Sequence, residues 1–283
     1  MSSLQGIFCL LFGTLTWGLL WYPYRLLDEN GISGVHASLY SFIGALILAS
    51  FFYQLKNLGS FYKKEFWIYA CIGGITNIAY VLAVISGEIV RVMLLFFLSP
   101  IWTIPMSFYL LKEKIFKKNI FAAMLALLGA LIILWHEDLF RQPLNLSDTY
   151  AIIAGIGFAM TNVMARFYKH LSVQEKSYAI WSGVVLMAIT VLFFFQLNFA
   201  PSYSLTPSLL LIGLISLTLV ITTLVVQHGL TLVPAVKASP IFLFEIIVAG
   251  ISAYFLANEV INLKDLLGGV FIVTGILIST RQD

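Results

Sequence analysis

The sequence predicts an all-α membrane protein: ten transmembrane helices arranged as two inverted five-helix repeats, with the N- and C-termini cytoplasmic. Three observations carry that expectation. Of 283 residues, 60% are hydrophobic and 10% charged, whereas a soluble domain carries roughly 25% charged residues. The chain divides almost without remainder into ten apolar runs, each close to the ~20 residues that cross a hydrocarbon core about 30 Å thick. Landmarks of the first half recur in the second at a fixed spacing.

The runs are 4–24, 34–54, 66–86, 89–110, 117–135, 148–168, 177–197, 207–228, 234–256 and 263–280. The sequence begins MSSLQG, with no basic segment, and the first run, from Leu4, contains no A-x-A-like cleavage site. It therefore reads as a retained span rather than a signal peptide. Trp17, Trp21 and Tyr24 follow a 4, 3 spacing and share one face of it. Such a face either packs or lines a path for apolar amino acids or for cations, which aromatic rings attract. The second run ends in FFYQL, a string echoed as FFFQL at the end of the seventh. In the third, Trp67 sits at the interfacial belt, and Asn77 and Tyr80 lie three apart at mid-span. Amides at that depth line a cavity or cross-link helices, the latter for about 0.6 kcal/mol.

The fourth run opens with Glu88 and Arg91, spaced to pair on one helical face, and holds Pro100, Trp102 and Pro105. In the fifth, Ala122, Ala126 and Ala130 have the small-xxx-small spacing that favours close helix contact, and Trp135 ends the run at the belt. Thr161 and Asn162 are central in the sixth. The eighth ends with Gln227 and His228, where a histidine is either solvated or a proton relay. The ninth starts at Pro234 and contains Lys237, Pro240 and Glu245; the tenth completes the chain.

Connections between runs are too short for a soluble catalytic or nucleotide-binding domain, and no G-x-x-x-x-G-K-[ST] sequence occurs. A net charge of +3, with its lysines and arginines in short separate clusters, excludes nucleic acid as a partner. Cys9 and Cys71 lie in apolar runs without metal or redox spacing, which reads as packing, and no cofactor is expected.

Orientation follows from the basic residues. With a cytoplasmic N-terminus, eleven of the sixteen fall on the cytoplasmic side: Lys56, Lys63, Lys64, Lys112, Lys114, Lys117, Lys118, Arg166, Lys169, Lys176 and Arg281. Four, Arg25, Arg91, Arg141 and Lys264, fall on the other, and Lys237 lies within a span.

Arg91 falls on Lys237, Ser99 on Glu245, Glu113 on Glu259 and Gly129 on Gly275, each pair 146 residues apart. Five spans per half is an odd number, so the second copy (141–283) enters the membrane from the side opposite to the first (1–140). Inverted halves are an architecture of secondary transporters, whose substrate site lies near the midplane at the repeat interface. The chain resembles the EamA-type transporters of the drug/metabolite transporter superfamily. That family carries a Glu-Pro dipeptide in the fourth helix of each repeat and a Gly-Glu fourteen residues later. Here the positions read Ser99-Pro100 and Lys112-Glu113 in one copy, Glu245-Ile246 and Asn258-Glu259 in the other. The resemblance implies a multi-pass protein of a bacterial inner membrane, mostly an exporter of amino acids and other small metabolites.

Within the ninth run, Lys237 lies about 5 Å deep, which a lysine stem can snorkel. With Arg91 at the opposite end it forms an expected pair of gate or vestibule charges. Glu245 is about eleven residues in, beyond snorkelling reach and about 12 Å along the axis from Lys237. It is expected either to carry protons or oppose a substrate ammonium group, or to be a neutral acid bonded to a neighbouring helix. Asn77, Tyr80, Trp17, Trp21, Trp102 and Asn162 complete the expected substrate site. Pro100, Pro105 and Pro240 mark the fourth and ninth helices as kinked, cavity-lining elements. An intramembrane enzyme using Glu245 or His228 is the alternative class, but no metal-ligand cluster or G-x-S-x-G motif supports it. A channel or receptor is the third.

Overall fold

A computed structural model describes residues 2–32, 34–52, 59–136, 143–195 and 205–281. Lys56, Arg141 and the ends of the FFYQL and FFFQL strings fall outside the described residues. The described chain is helical throughout: α1 Ser2–Glu29, α2 Gly34–Phe52, α3 Lys64–Ser86, α4 Ile89–Phe96, α5 Ser99–Met106, α6 Lys117–Leu134, α7 Leu146–Phe167, α8 Val173–Phe194, α9 Leu205–Leu232, α10 Ala235–Phe242, α11 Phe244–Ala257 and α12 Leu263–Thr280. Among the described residues, ten segments are long and apolar enough to cross a membrane. All ten expected runs are among them, and the fourth (Ile89–Leu111) and ninth (Ala235–Ala257) are each built from two helices.

Local chemistry sets the ends. Asn145 with Asp148, Ser172 with Glu175 and Asn262 with Asp265 form capping boxes that start α7, α8 and α12, satisfying backbone donors that no helical carbonyl reaches. Gly31, at φ 81, lets the chain turn after α1, and Ile32 N–H then donates to the Leu27 carbonyl at 2.9 Å. Two expected ends need correction. The first span runs through Pro23 to Glu29. The eighth runs to Leu232, which puts Gln227 inside the helix, buried, where it accepts a hydrogen bond from the Tyr69 hydroxyl at 3.1 Å.

The two broken spans are interrupted at corresponding places. Between α4 and α5 the chain turns at Phe97 and Leu98; between α10 and α11 it turns at Leu243, 146 residues beyond Phe97. Pro100 cannot donate to the Phe96 carbonyl four residues back, which explains the first break. Pro240 lies three residues before the second, and Leu243 N–H bonds the Pro240 carbonyl at 3.2 Å in a tightened turn. Pro105 lies inside α5 without interrupting it, and the π-helical turn Ser107–Leu111 follows.

Other features recur at the same spacing. Helix α4 matches α10 end for end, and α6 matches α12. Lys112 and Asn258, which end the fourth and ninth spans, are among the described residues the non-glycine ones with left-handed backbone, at φ 53 and 56. Helices α6 and α12 touch through glycine: a Cβ on Gly129 would overlap the Gly268 carbonyl, and one on Gly275 would lie 2.7 Å from the Ala122 carbonyl. Adding 146 to 122 and 129 gives 268 and 275, so each contact is the other's counterpart. Ala122, Ala126 and Ala130 are fully buried, or nearly so, on this packing face.

Candidate functional site

The break at Leu243 places Glu245 in the first turn of α11, ten residues past the start of a 23-residue span. There the helix dipole offsets part of the cost of holding a carboxylate at that depth. Its counterpart Ser99 opens α5 and is buried. Glu245 is half-buried, and among the described residues no hydrogen bond or ion pair reaches its carboxylate. Helix α1 packs directly against it, since a Cβ on Gly18 would lie 3.0 Å from the Glu245 carbonyl oxygen.

Three residues before this acid, Phe242 joins a connected set of rings from five spans. Trp17 of α1 meets Phe158 of α7 and Phe242 of α10 at centroid distances of 6.2 and 6.0 Å. Phe158 and Phe242 are 5.0 Å apart, and Phe158 reaches Phe96 of α4 at 5.3 Å. Phe96 in turn meets Tyr80 of α3 at 4.9 Å. Phe96 and Phe242 are 146 residues apart and each ends the helix before a break. A close backbone approach sets their common partner: a Cβ on Gly155 would lie 2.8 Å from the Phe96 carbonyl, and Phe158 is one turn further along that face.

Of the expected site residues, Trp17 and Tyr80 belong to this group, and Glu245 lies three residues beyond Phe242. The side-chain carbonyl of Asn77 and the indole N–H of Trp102 are buried and without hydrogen-bond partners. Asn162 is buried in α7. Trp21 is committed elsewhere: its indole donates to the Ser252 hydroxyl at 2.8 Å and ties α1 to α11. Phe96, Phe158 and Phe242 escaped sequence reasoning because nothing local separates them from the other phenylalanines, 23 in all. The 146-residue spacing of Phe96 and Phe242 was the available signal.

The charged residues are arranged differently from expectation. Glu88 is exposed. Arg91 is buried and meets Asp148, at the start of α7, at 2.7 Å. Asp148 was unremarkable in sequence because an acid at a span start reads as a helix cap, which it also is. Lys237 is half-buried in the first turn of α10. A second ion pair joins Glu113 to Arg166 at 2.8 Å. Arg166 also donates to the carbonyls of Leu230, at 3.2 Å, and Val233, at 2.8 Å, while Glu113 accepts from Ala235 N–H at 3.4 Å. One knot thus holds the end of the fourth span, the end of α7, the end of α9 and the start of α10. Lys176, counted above as a loop charge, is buried and donates to the Ala165 carbonyl at 2.6 Å, capping α7.

Ten apolar helices, with polar groups gathered at two interrupted spans, define a multi-pass membrane protein of the transporter kind. The EamA-like transporter family matches the chain over residues 4–135 and again over 145–281, and the chain belongs to that family. An uncharacterized transporter of Archaeoglobus fulgidus is 26% identical, over 74% of this chain and 73% of its own. The uncharacterized transporter YoaV of Bacillus subtilis is 25% identical over 94% of each. An S-adenosylmethionine uptake transporter of Rickettsia bellii is 24% identical over 72% of this chain and 67% of its own. A solved crystal structure superposes with a TM-score of 0.78 over 98% of this chain and 96% of its own, at 14% identity, which speaks to the fold alone.

Proposed function

We propose that the protein is a secondary transporter that moves small amphipathic metabolites, amino acids and related compounds, across a bacterial inner membrane by alternating access. The observation that carries this reading is Glu245: a mid-span carboxylate with no described partner, at a helix break, three residues past Phe242 of the ring cluster. A repeat of residues 1–140 and 141–283 is supported by the matched breaks, the matched left-handed residues and the reciprocal α6–α12 contacts; its inversion is supported by five spans per half, and cytoplasmic termini by the excess of basic residues on that side. Alternating access is supported by an asymmetry between matched helices. In α10 all residues but Lys237 are buried, whereas in α4 only Arg91 and Val92 are. With the proposed orientation, the cytoplasmic end is closed and the opposite end is open. In this reading Lys237 and Arg91 are the charges of the two vestibules, Glu88 flanks the open one, and Asn77, Trp102 and Asn162 offer polar contacts to substrate.

Export follows the family resemblance; import is the second reading, favoured by the name of the Rickettsia relative. The test is counterflow of radiolabelled amino acids and polyamines into proteoliposomes, with and without a proton gradient, for the wild type and Glu245→Gln. Saturable uptake lost in the variant supports the reading, and dependence on the gradient adds proton coupling. A correctly folded protein that gives conductance without saturation, or binding without turnover, overturns it.

A further inference from the structure

Where α6 ends and α12 begins, the two helices leave a groove between them. Its volume is about 320 Å³, and it is lined by Leu131, Ile132, Trp135 and Lys264, almost entirely with apolar surface. Both helices are membrane spans and the groove lies at their ends, so it opens where hydrocarbon meets headgroups. The Trp135 ring borders it and is 48% exposed. Lys264 donates to the Trp135 carbonyl at 3.0 Å. An ammonium carries three donors, so two remain to meet a ligand. The adjacent acid, Asp265, accepts the Asn262 N–H at 2.7 Å as a helix cap.

The repeat separates what is structural here from what is not. Lys118, 146 residues before Lys264, donates at 3.0 Å to the carbonyl of Arg281, 146 residues after Trp135. Each lysine thus satisfies a carbonyl at the end of the facing helix. The side chains beside those carbonyls differ: arginine at one end of the pair, tryptophan bordering an apolar groove at the other. In a bilayer, apolar walls alone give a groove no preference among lipids, since lipid tails are as apolar as leucine. A cation fixed at headgroup depth does give one, because it attracts negative charge.

We infer that this groove binds one anionic phospholipid, with an acyl chain along Leu131, Ile132 and the Trp135 ring and the phosphate on the Lys264 ammonium. A phospholipid joins an apolar chain to a phosphate at the same depth at which the groove meets its lysine. Net negative charge selects among phospholipids, because a zwitterionic headgroup brings its own cation to the phosphate. The site rests on the membrane placement of α6 and α12 and on no step of a transport cycle.

Binding is read on the full-length protein in bilayers of phosphatidylcholine and phosphatidylglycerol, with one or the other lipid brominated in its chains. Bromine quenches tryptophan fluorescence at contact range, and the difference between wild type and Trp135→Phe isolates Trp135 from the other tryptophans. The relative binding constant at Trp135 is expected to favour phosphatidylglycerol about fivefold over phosphatidylcholine. Lys264→Gln is expected to abolish that preference, and Lys264→Arg to keep it. Lys118→Gln removes the matching bond at the other end of the helix pair and is expected to leave the preference intact, which guards against general loosening of α6 from α12. Equal quenching by the two lipids, or an unchanged preference in Lys264→Gln, overturns the inference. So does a loss in Lys118→Gln as large as in Lys264→Gln, which assigns the preference to net charge or to helix pairing. Quenching of Trp135 by neither lipid overturns it as well, and cross-linking between copies then assigns the groove to a second copy of the chain.

Discussion

Lys112 and Asn258 occupy backbone conformations that cost an L-residue about 1–2 kcal/mol, least for asparagine, whose side chain can bond locally. Both close a span by the same device, with the next residue's N–H reaching back to the carbonyl of Ser107 or Ala253, each at 3.3 Å. A glycine, which the resemblance implies at both positions, adopts this backbone without that cost. Lys112→Gly is expected to raise stability by about 1 kcal/mol and Asn258→Gly by less, read as the melting temperature in detergent; a fall for Lys112→Gly counts against the conformational argument. The Arg91–Asp148 pair behaves in the opposite way. Both side chains are at least nine-tenths buried, so Asp148→Asn strands a buried guanidinium and is expected to cost about 3 kcal/mol. Combining it with Arg91→Met should recover much of that loss, and a double-mutant cycle without coupling shows that the pair contributes nothing specific.

At the scale of elements, hydropathy makes the spans legible because each segment meets the bilayer requirement on its own. The breaks are less legible. Proline marks the right helices, yet Pro100 follows its break and Pro240 precedes its own, so the common feature is the position within the repeat, not the proline. The ring group was harder still, since Trp17, Tyr80, Phe96, Phe158 and Phe242 come together only when five helices pack. Glu113 was visible as a repeat landmark, but its partner Arg166 looked like an ordinary cytoplasmic charge. Helix contacts decide which glycines matter. A Cβ on Gly183 would overlap the Ala70 carbonyl and force α8 from α3, whereas nothing lies within 4 Å of one on Gly250. Gly183→Ala is therefore expected to lower the melting temperature and the yield of monodisperse protein, while Gly250→Ala leaves both unchanged or slightly raised. Equal effects at the two sites contradict close α3–α8 packing.

For the whole molecule, the proposed cycle needs something to hold the end containing α10 closed. The Glu113–Arg166 knot joins four elements there, and the side chains of the pair are only 15% and 21% exposed. In the proposed cycle, opening that end moves α10 away from the ends of α7 and α9, which separates Ala235 N–H from Glu113 and the α9 carbonyls from Arg166. Replacing Glu113 by glutamine keeps the shape and removes the charge, so it should weaken the closed state and leave the rest of the bundle intact. The consequence can be read with a cysteine at Ser239, which is 3% exposed in α10, in a Cys9→Ser, Cys71→Ser background. Labelling by a polar thiol reagent from the side that α10 faces, the cytoplasmic one in the proposed orientation, is expected to be slow in that parent and about tenfold faster when Glu113→Gln is added, corresponding to a shift of about 1.4 kcal/mol. Because a ligand that binds one state better draws the population towards it, a substrate favouring the state closed at this end should slow the labelling again. An unchanged rate in Glu113→Gln, with transport intact, assigns the knot to assembly of the bundle and leaves packing of the buried face of α10 as what keeps this end shut.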